Sequence, residues 1–185
     1  MEPYSDNEVM LLVRNGDLEK LGLLFERYKK PLFAYFYRLG RDLHGSEDLV
    51  QNVFLRLLKY RHNFTGYGEF HIWMYQVAHN VFIDHCNRNN RYKAVDDFSG
   101  YDLAEEATGD CEIIREEQLQ LLEKALLQMH AEKRELLILC KYQQLKYKEI
   151  GEILGCSENN VKIKVFRALM ELKDIFMQMD KCYEK

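Results

Sequence analysis

Between positions 159 and 167 the chain carries Asn159, Asn160, Lys162, Ile163, Lys164, Phe166 and Arg167. At 100° per residue these seven cluster on the outer side of a helix whose other side holds Val161, Val165, Ala168, Leu169 and Leu172. A polar, basic outer face opposite a buried stripe suits the grooves of DNA better than bond-making chemistry. Upstream, the stretch RHNFTGYGEF, residues 61–70, places Phe64, Tyr67 and Phe70 in a loop with Gly66 and Gly68. Such rings can stack on unpaired bases, or they can pin the loop to a core, and both readings stand at this point. His79, Asp84, His85 and Cys86 raise the question of a metal, but three consecutive residues cannot converge from one helical face. Gln76, Asn80 and the basic end at Arg88, Arg91 and Lys93 read instead as a polar face open to nucleic acid.

The elements that must carry these residues follow from periodicity. Ser5-Asp6-Asn7-Glu8 is a capping box that opens a first helix, closed by Asn15-Gly16. Asp17 is expected to cap the next, through Leu18, Leu21, Leu24, Phe25 and Tyr28, with Pro31 either starting a new helix or interrupting a continuous one. A helix from Gly45-Ser46 buries Leu49, Val50, Val53, Phe54, Leu57 and Leu58, and presents Asp48, Gln51, Asn52, Leu55 and Lys59 on its reverse. Leu55 is the large apolar residue of that polar face, either an ordinary exposed leucine or the centre of a protein contact. A helix of more than 20 residues then runs from His71 to Lys93. After an acidic linker, apolar periodicity resumes at Glu112 in two helices, followed by a short helix from about Lys146 to Leu154. Gly155 makes the turn and Ser157 caps the last helix. Residues 173–185 read as a polar tail. The fold class is all-α: two small helical domains, the C-terminal one a helix-turn-helix.

Charge is unevenly spread. Residues 94–117 hold nine acids against Arg115, a net −8 in a chain of −4, so the rest is +4. Lys141 to Lys173 holds seven bases against four acids. A basic patch is therefore present but modest, too weak to promise tight DNA binding by this chain alone. The five cysteines are dispersed without a CxxC pair, which predicts reduced thiols rather than a disulfide or zinc framework. No leader pattern and no apolar run near 18 residues occurs, which predicts a soluble, cytoplasmic protein with no membrane insertion.

Two blocks, SEDLVQNVFLRLLKY with FHIWMYQVAHNVFIDHCNRNNR, and LKYKEIGEILGCSENNVKIKVFRAL, resemble in order and separation the extracytoplasmic-function (ECF) sigma factors of bacterial RNA polymerase. The resemblance spans about residues 5–176. It implies an N-terminal sigma domain (1–95) that binds core polymerase and reads and melts the −10 element, a linker (96–112), and a C-terminal domain (113–178) that reads the −35 element. It further implies that Asp48, Gln51, Asn52 and Leu55 face the polymerase clamp helices, with the flap as a second contact. Phe64 and Tyr67 would hold an unstacked −10 base, and Gln76, Asn80 and Arg88 would lie on the −10 strand. Asn159, Asn160, Ile163, Phe166 and Arg167 would face the −35 groove, with Lys162 and Lys164 on phosphates. Asp84 would organise its own helix. An anti-sigma partner is plausible from the family; an enzyme activity, metal or cofactor is not implied.

The departures from the family pattern are His130 in place of proline, Lys146 in place of a serine or threonine cap, His79 in place of arginine, and Ile163 and Phe166 where polar readers are expected. A missing cap costs about 1 kcal/mol. The rival readings are a stand-alone helix-turn-helix regulator with residues 1–95 as a sensing or dimer domain, a metal-dependent hydrolase built on Asp84, His85 and Cys86, and a protein-binding adaptor.

Overall fold

The structure, a computed structural model, describes residues 4–92 and 110–183. Most of the expected linker (96–112) lies outside the described residues. Helices α1 (Asp6–Arg14), α2 (Leu21–Gly40), α3 (Leu43–Lys59) and α4 (Phe70–Tyr92) form the N-terminal half. The C-terminal half comprises α5 (Asp110–Gln128), α6 (Ala131–Leu137), α7 (Tyr147–Leu154) and α8 (Glu158–Tyr183). No strand occurs among the described residues, and none of their helices is long and apolar enough to cross a membrane.

The expected capping box at Ser5 is formed. The Ser5 N–H donates to Glu8 Oε2 at 2.7 Å, and the Glu8 N–H donates to Ser5 Oγ. Asp17, by contrast, caps nothing with its side chain: a 3₁₀ turn over Leu18–Lys20 intervenes before α2 begins at Leu21. That helix runs unbroken through Pro31 to Gly40. Helix α3 starts two residues ahead of Gly45, because Asp42 Oδ1 accepts the Gly45 N–H at 3.0 Å. Helix α5 likewise begins at Asp110. The expected polar tail is instead helical to Tyr183, since nothing from Lys173 onward breaks the helix.

The N-terminal core is aromatic. Tyr35, Phe36 and Phe70 are buried with Met10, Leu24, Leu32, Leu57 and Met74, and Tyr28 meets Phe70 edge to face at 5.5 Å between centroids. In the C-terminal half, Leu136 to Leu139, Ile150, Ile153, Val161, Val165 and Ala168 are buried. Leu169, expected in that stripe, is 37% exposed. It lies at the stripe's edge, beside a groove that it lines with Leu119, Leu122 and Phe176.

The helix-turn-helix is closed by backbone contact. The Cys156 N–H donates to the Gly151 carbonyl at 2.9 Å, with Gly155 in the left-handed conformation between them. A Cβ on Gly151 would stand 2.6 Å from the Cys156 carbonyl oxygen, so α7 and the turn meet where only glycine fits. Gly151→Ala is expected to destabilise the C-terminal half by about 1–3 kcal/mol, measured by urea unfolding. The missing side-chain cap at Lys146 is offset from the other side, where Glu149 Oε2 accepts the Lys146 N–H at 2.7 Å.

Candidate nucleic-acid and protein-binding surfaces

Helix α3 buries Leu49, Val50, Val53, Phe54 and Leu57. This leaves Asp48, Gln51, Asn52 and Leu55 together on its solvent face. Leu55 is 63% exposed. The Asn52 amide donates to the Asp48 carbonyl at 2.9 Å, spending one donor within the helix. Beside Gln51, a groove of about 350 Å³ opens between α2 and α3, floored by Phe25, Phe33 and Val50. An exposed leucine flanked by amides and an acid, next to an apolar groove, is chemistry for docking a protein.

The loop between α3 and α4 forms a cleft of about 140 Å³, lined by Asn63, Phe64, Thr65, Tyr67, Trp73, Gln76 and Glu152 among others. The loop aromatics divide their labour. Phe64 is 3% exposed, its ring 5.2 Å from Trp73 and 6.1 Å from Phe70. Burial leaves Phe64 no free face for stacking: it pins the loop and floors the cleft. Tyr67 is 92% exposed, a free ring at the cleft mouth able to stack on an unpaired base.

Along α4, Asn80 and Arg88 are exposed. Gln76 is half-buried, and its amide donates to the Glu152 carbonyl of α7 at 3.0 Å. The structure therefore gives Gln76 a partner in the C-terminal half, where DNA contact was expected. Asp84, expected to organise its own helix, is instead held by Arg56 of α3 at 2.5 Å, a tie between α3 and α4. Among the described residues no three His, Cys, Asp or Glu side chains gather as metal ligands do.

On α8, Asn159, Asn160, Lys162, Ile163, Lys164, Phe166 and Arg167 are all exposed. Ile163 and Phe166 are 51% and 65% exposed, which leaves two apolar groups among the polar ones, suited to thymine methyls. Ser157 Oγ accepts the Asn160 N–H at 3.3 Å, fixing the helix start. Lys162 pairs with Glu158 one turn back at 3.0 Å, a solvent-screened contact that a phosphate can displace.

The two halves also touch one another through groups that sequence reading did not find. Glu135 of α6 is buried, its carboxylate accepting the Tyr35 hydroxyl at 2.5 Å and lying 2.8 Å from His79 Nδ1. The Tyr75 hydroxyl donates to Gln143 at 2.6 Å, and Arg134 donates to the Leu39 carbonyl. Arg38 stacks over Tyr142 at 4.4 Å. The hydrogen bond to Glu135 raises the pKa of His79, against the opposing effect of burial. Burial, reinforced by Glu135, holds the Tyr35 phenol well above its ordinary value and so keeps it a neutral donor. One signal was available in the sequence, a glutamate directly before the apolar run Leu136 to Leu139, but its partners lie 100 and 56 residues away.

Residues 24–92 match the family model described as Sigma-70 region 2, and residues 119–172 the one described as Sigma-70, region 4. Helix α1 precedes the first match. The chain is 30% identical over 152 residues to RNA polymerase sigma factor YlaC of Bacillus subtilis (strain 168), covering 81% of this chain and 88% of that relative. It is 27% identical over 153 residues to ECF RNA polymerase sigma factor SigM of the same organism, covering 83% and 93%. Among solved structures, CnrH in complex with the cytosolic domain of CnrY superposes with a TM-score of 0.70 at 18% identity, over 94% of this chain and 97% of that one. Sigma factor RpoE of Bartonella quintana, in complex with the anti-sigma factor NepR, gives 0.69 at 22% identity, over 84% and 96%. These two share the fold.

Proposed function

We propose a residue-level mechanism for a chain that belongs to the extracytoplasmic-function family of RNA polymerase sigma factors, the initiation factors that bind core polymerase and direct it to promoters. Residues 1–95 dock on core polymerase through Asp48, Gln51, Asn52 and Leu55, and read the −10 element. Residues 113–178 read the −35 element, and 96–112 join the two. The single observation that carries this division is the exposed Tyr67 at the mouth of a cleft floored by Phe64, separate from the seven exposed groups of α8.

Tyr67 stacks on an unpaired −10 base while Asn80 and Arg88 follow the strand. Gln76 joins them once α7 withdraws from α4. Asn159, Asn160, Ile163, Phe166 and Arg167 enter the −35 groove, and Lys162 and Lys164 take phosphates. Melting requires no bond-making residue. Capturing an unstacked base lowers the open state relative to the duplex, against an unstacking cost of a few kcal/mol. Polymerase supplies most of the affinity, and tethering makes the second weak reader effective once the first has bound. The protein acts in the cytoplasm, has no enzymatic activity of its own, and is held before use by an anti-sigma partner, as the RpoE–NepR pairing illustrates for that relative.

The test is transcription in vitro with core polymerase on a randomised promoter library. The free protein is expected to bind the recovered duplex poorly, and the holoenzyme to initiate from it specifically. Tight, specific binding by the free protein, above all as a dimer on a palindrome, would favour the stand-alone regulator instead.

A further inference from the structure

Helix α1 presents Asn7, Leu11 and Arg14 at i, i+4 and i+7, on one face, and that face lies along the inside of the 61–70 loop. Arg14 Nη1 donates to the Phe64 carbonyl at 3.0 Å. The Leu11 methyls lie 3.1 and 3.3 Å from where a Cβ on Gly66 would stand. Asn7 Nδ2 donates to the Gly68 carbonyl at 2.8 Å, while Asn7 Oδ1 accepts the Phe70 N–H, the first of α4, at 2.7 Å. One donor facing a carbonyl and one acceptor facing an N–H fix the orientation of the amide. Phe64, Gly68 and the first residue of α4 are thus bonded from α1, with Leu11 set against Gly66, and Tyr67 is left outside at 92% exposure.

The loop needs that hold. Gly66 and Gly68 sit at φ of +80° and +89°, where glycine is permissive but has no preference for one shape. A loop with two such residues stays in a single conformation only if its neighbours impose it. The helix that imposes it is itself fixed: Asp6 bonds Arg27 at 2.5 Å and accepts the Tyr28 hydroxyl, and Val9, Met10 and Val13 are buried. We propose that the Asn7–Leu11–Arg14 face of α1 is the positioning template for −10 base capture, with Asn7 setting both the promoter's melting and its base preference. This rests on the reading that the 61–70 loop captures a −10 base.

Asn7→Asp isolates the effect. A carboxylate still accepts the Phe70 N–H, at a helix N-terminus that favours negative charge, but it meets the Gly68 carbonyl with lone pairs instead of a donor. The experiment uses reconstituted holoenzyme and a promoter selected by the wild type from a randomised duplex library. It reads permanganate reactivity of the −10 thymines, the ratio of output between the selected −10 element and single-base variants, affinity for core polymerase, and the thermal midpoint. Asn7→Asp is expected to lower open-complex formation and the base-preference ratio roughly five- to tenfold, with core affinity and thermal midpoint unchanged. Tyr67→Ala is measured in parallel. If Tyr67→Ala loses melting and Asn7→Asp does not, the template is overturned while the loop remains the reader. If neither changes, the loop reading fails and the template falls with it. A fall in thermal midpoint and core affinity alongside melting would reduce Asn7 to a general folding contact and overturn the proposal.

Discussion

Leu55→Glu is expected to weaken binding to core polymerase by at least about 30-fold while leaving the fold intact. The direction follows from the surface around it. Leu55 is 63% exposed, so the free protein gains little from it, and exposed substitutions of this kind usually shift stability by less than about 0.5 kcal/mol. In the proposed docking the same side chain would be desolvated next to Asp48, Gln51 and Asn52, which precede it on the same face. Truncating such an anchor costs about 2 kcal/mol or more, and each 1.4 kcal/mol is about tenfold. A buried carboxylate without a partner adds to that. Gln51→Ala, at the rim of the same face, is expected to cost only a few-fold. Competition for core polymerase against wild-type protein, with thermal unfolding as the control, reads both. Equal binding by the glutamate variant would move the docking surface off α3.

The parts of this fold legible in the sequence are those written at short range. The α3 stripe, the Ser5 capping box, the Gly155 turn and the outer face of α8 all follow from residues within a few turns of one another, and the structure forms each of them. Errors at that level were local and had local causes. Asp42 rather than Gly45-Ser46 starts α3 because its carboxylate reaches the Gly45 N–H. Phe64 and Tyr67 are alike by composition and opposite in burial, because Trp73 and Phe70 stand on one side of the loop and solvent on the other. What could not be read is whatever one half does to the other. Glu135 is buried although Glu132, Lys133 and Arg134 precede it directly, and its partners Tyr35 and His79 lie far off in sequence; Gln76 looks free until α7 is laid across it. The grip of α1 on the loop spans 50 to 63 residues and leaves no periodic trace except the spacing of Asn7, Leu11 and Arg14.

Glu135→Ala is expected to have the second large effect, separating the two halves and lowering the stability of the joined form by about 3 kcal/mol. It strands the fully buried Tyr35 hydroxyl, and it leaves His79 without its carboxylate. Each buried polar group without a partner costs about 1–3 kcal/mol. Glu135→Gln removes the charge but leaves an amide oxygen for Tyr35, so most of that loss should be spared. The two variants also differ from wild type in pH dependence. The bond to Glu135 raises His79 above its ordinary value of 6.5, so protonated His79 favours the joined state. That contribution is fully present below pH 6.5 and is lost as pH rises through the raised value. Wild-type joining should therefore weaken as pH climbs above 6.5. Glu135→Gln and His79→Gln should both flatten this dependence, because each removes one end of the ion pair. Small-angle scattering across that range, with thermal unfolding alongside, reads the separation directly, and a pH response that survives in both variants would assign it to other groups. Because α7 covers Gln76 in the joined state, Glu135→Ala should form open promoter complexes at lower core polymerase concentration than wild type, and Glu135→Gln much less so. Under the proposed mechanism the −10 strand reaches Gln76 only after the halves separate, so a variant that is already separated starts nearer that state.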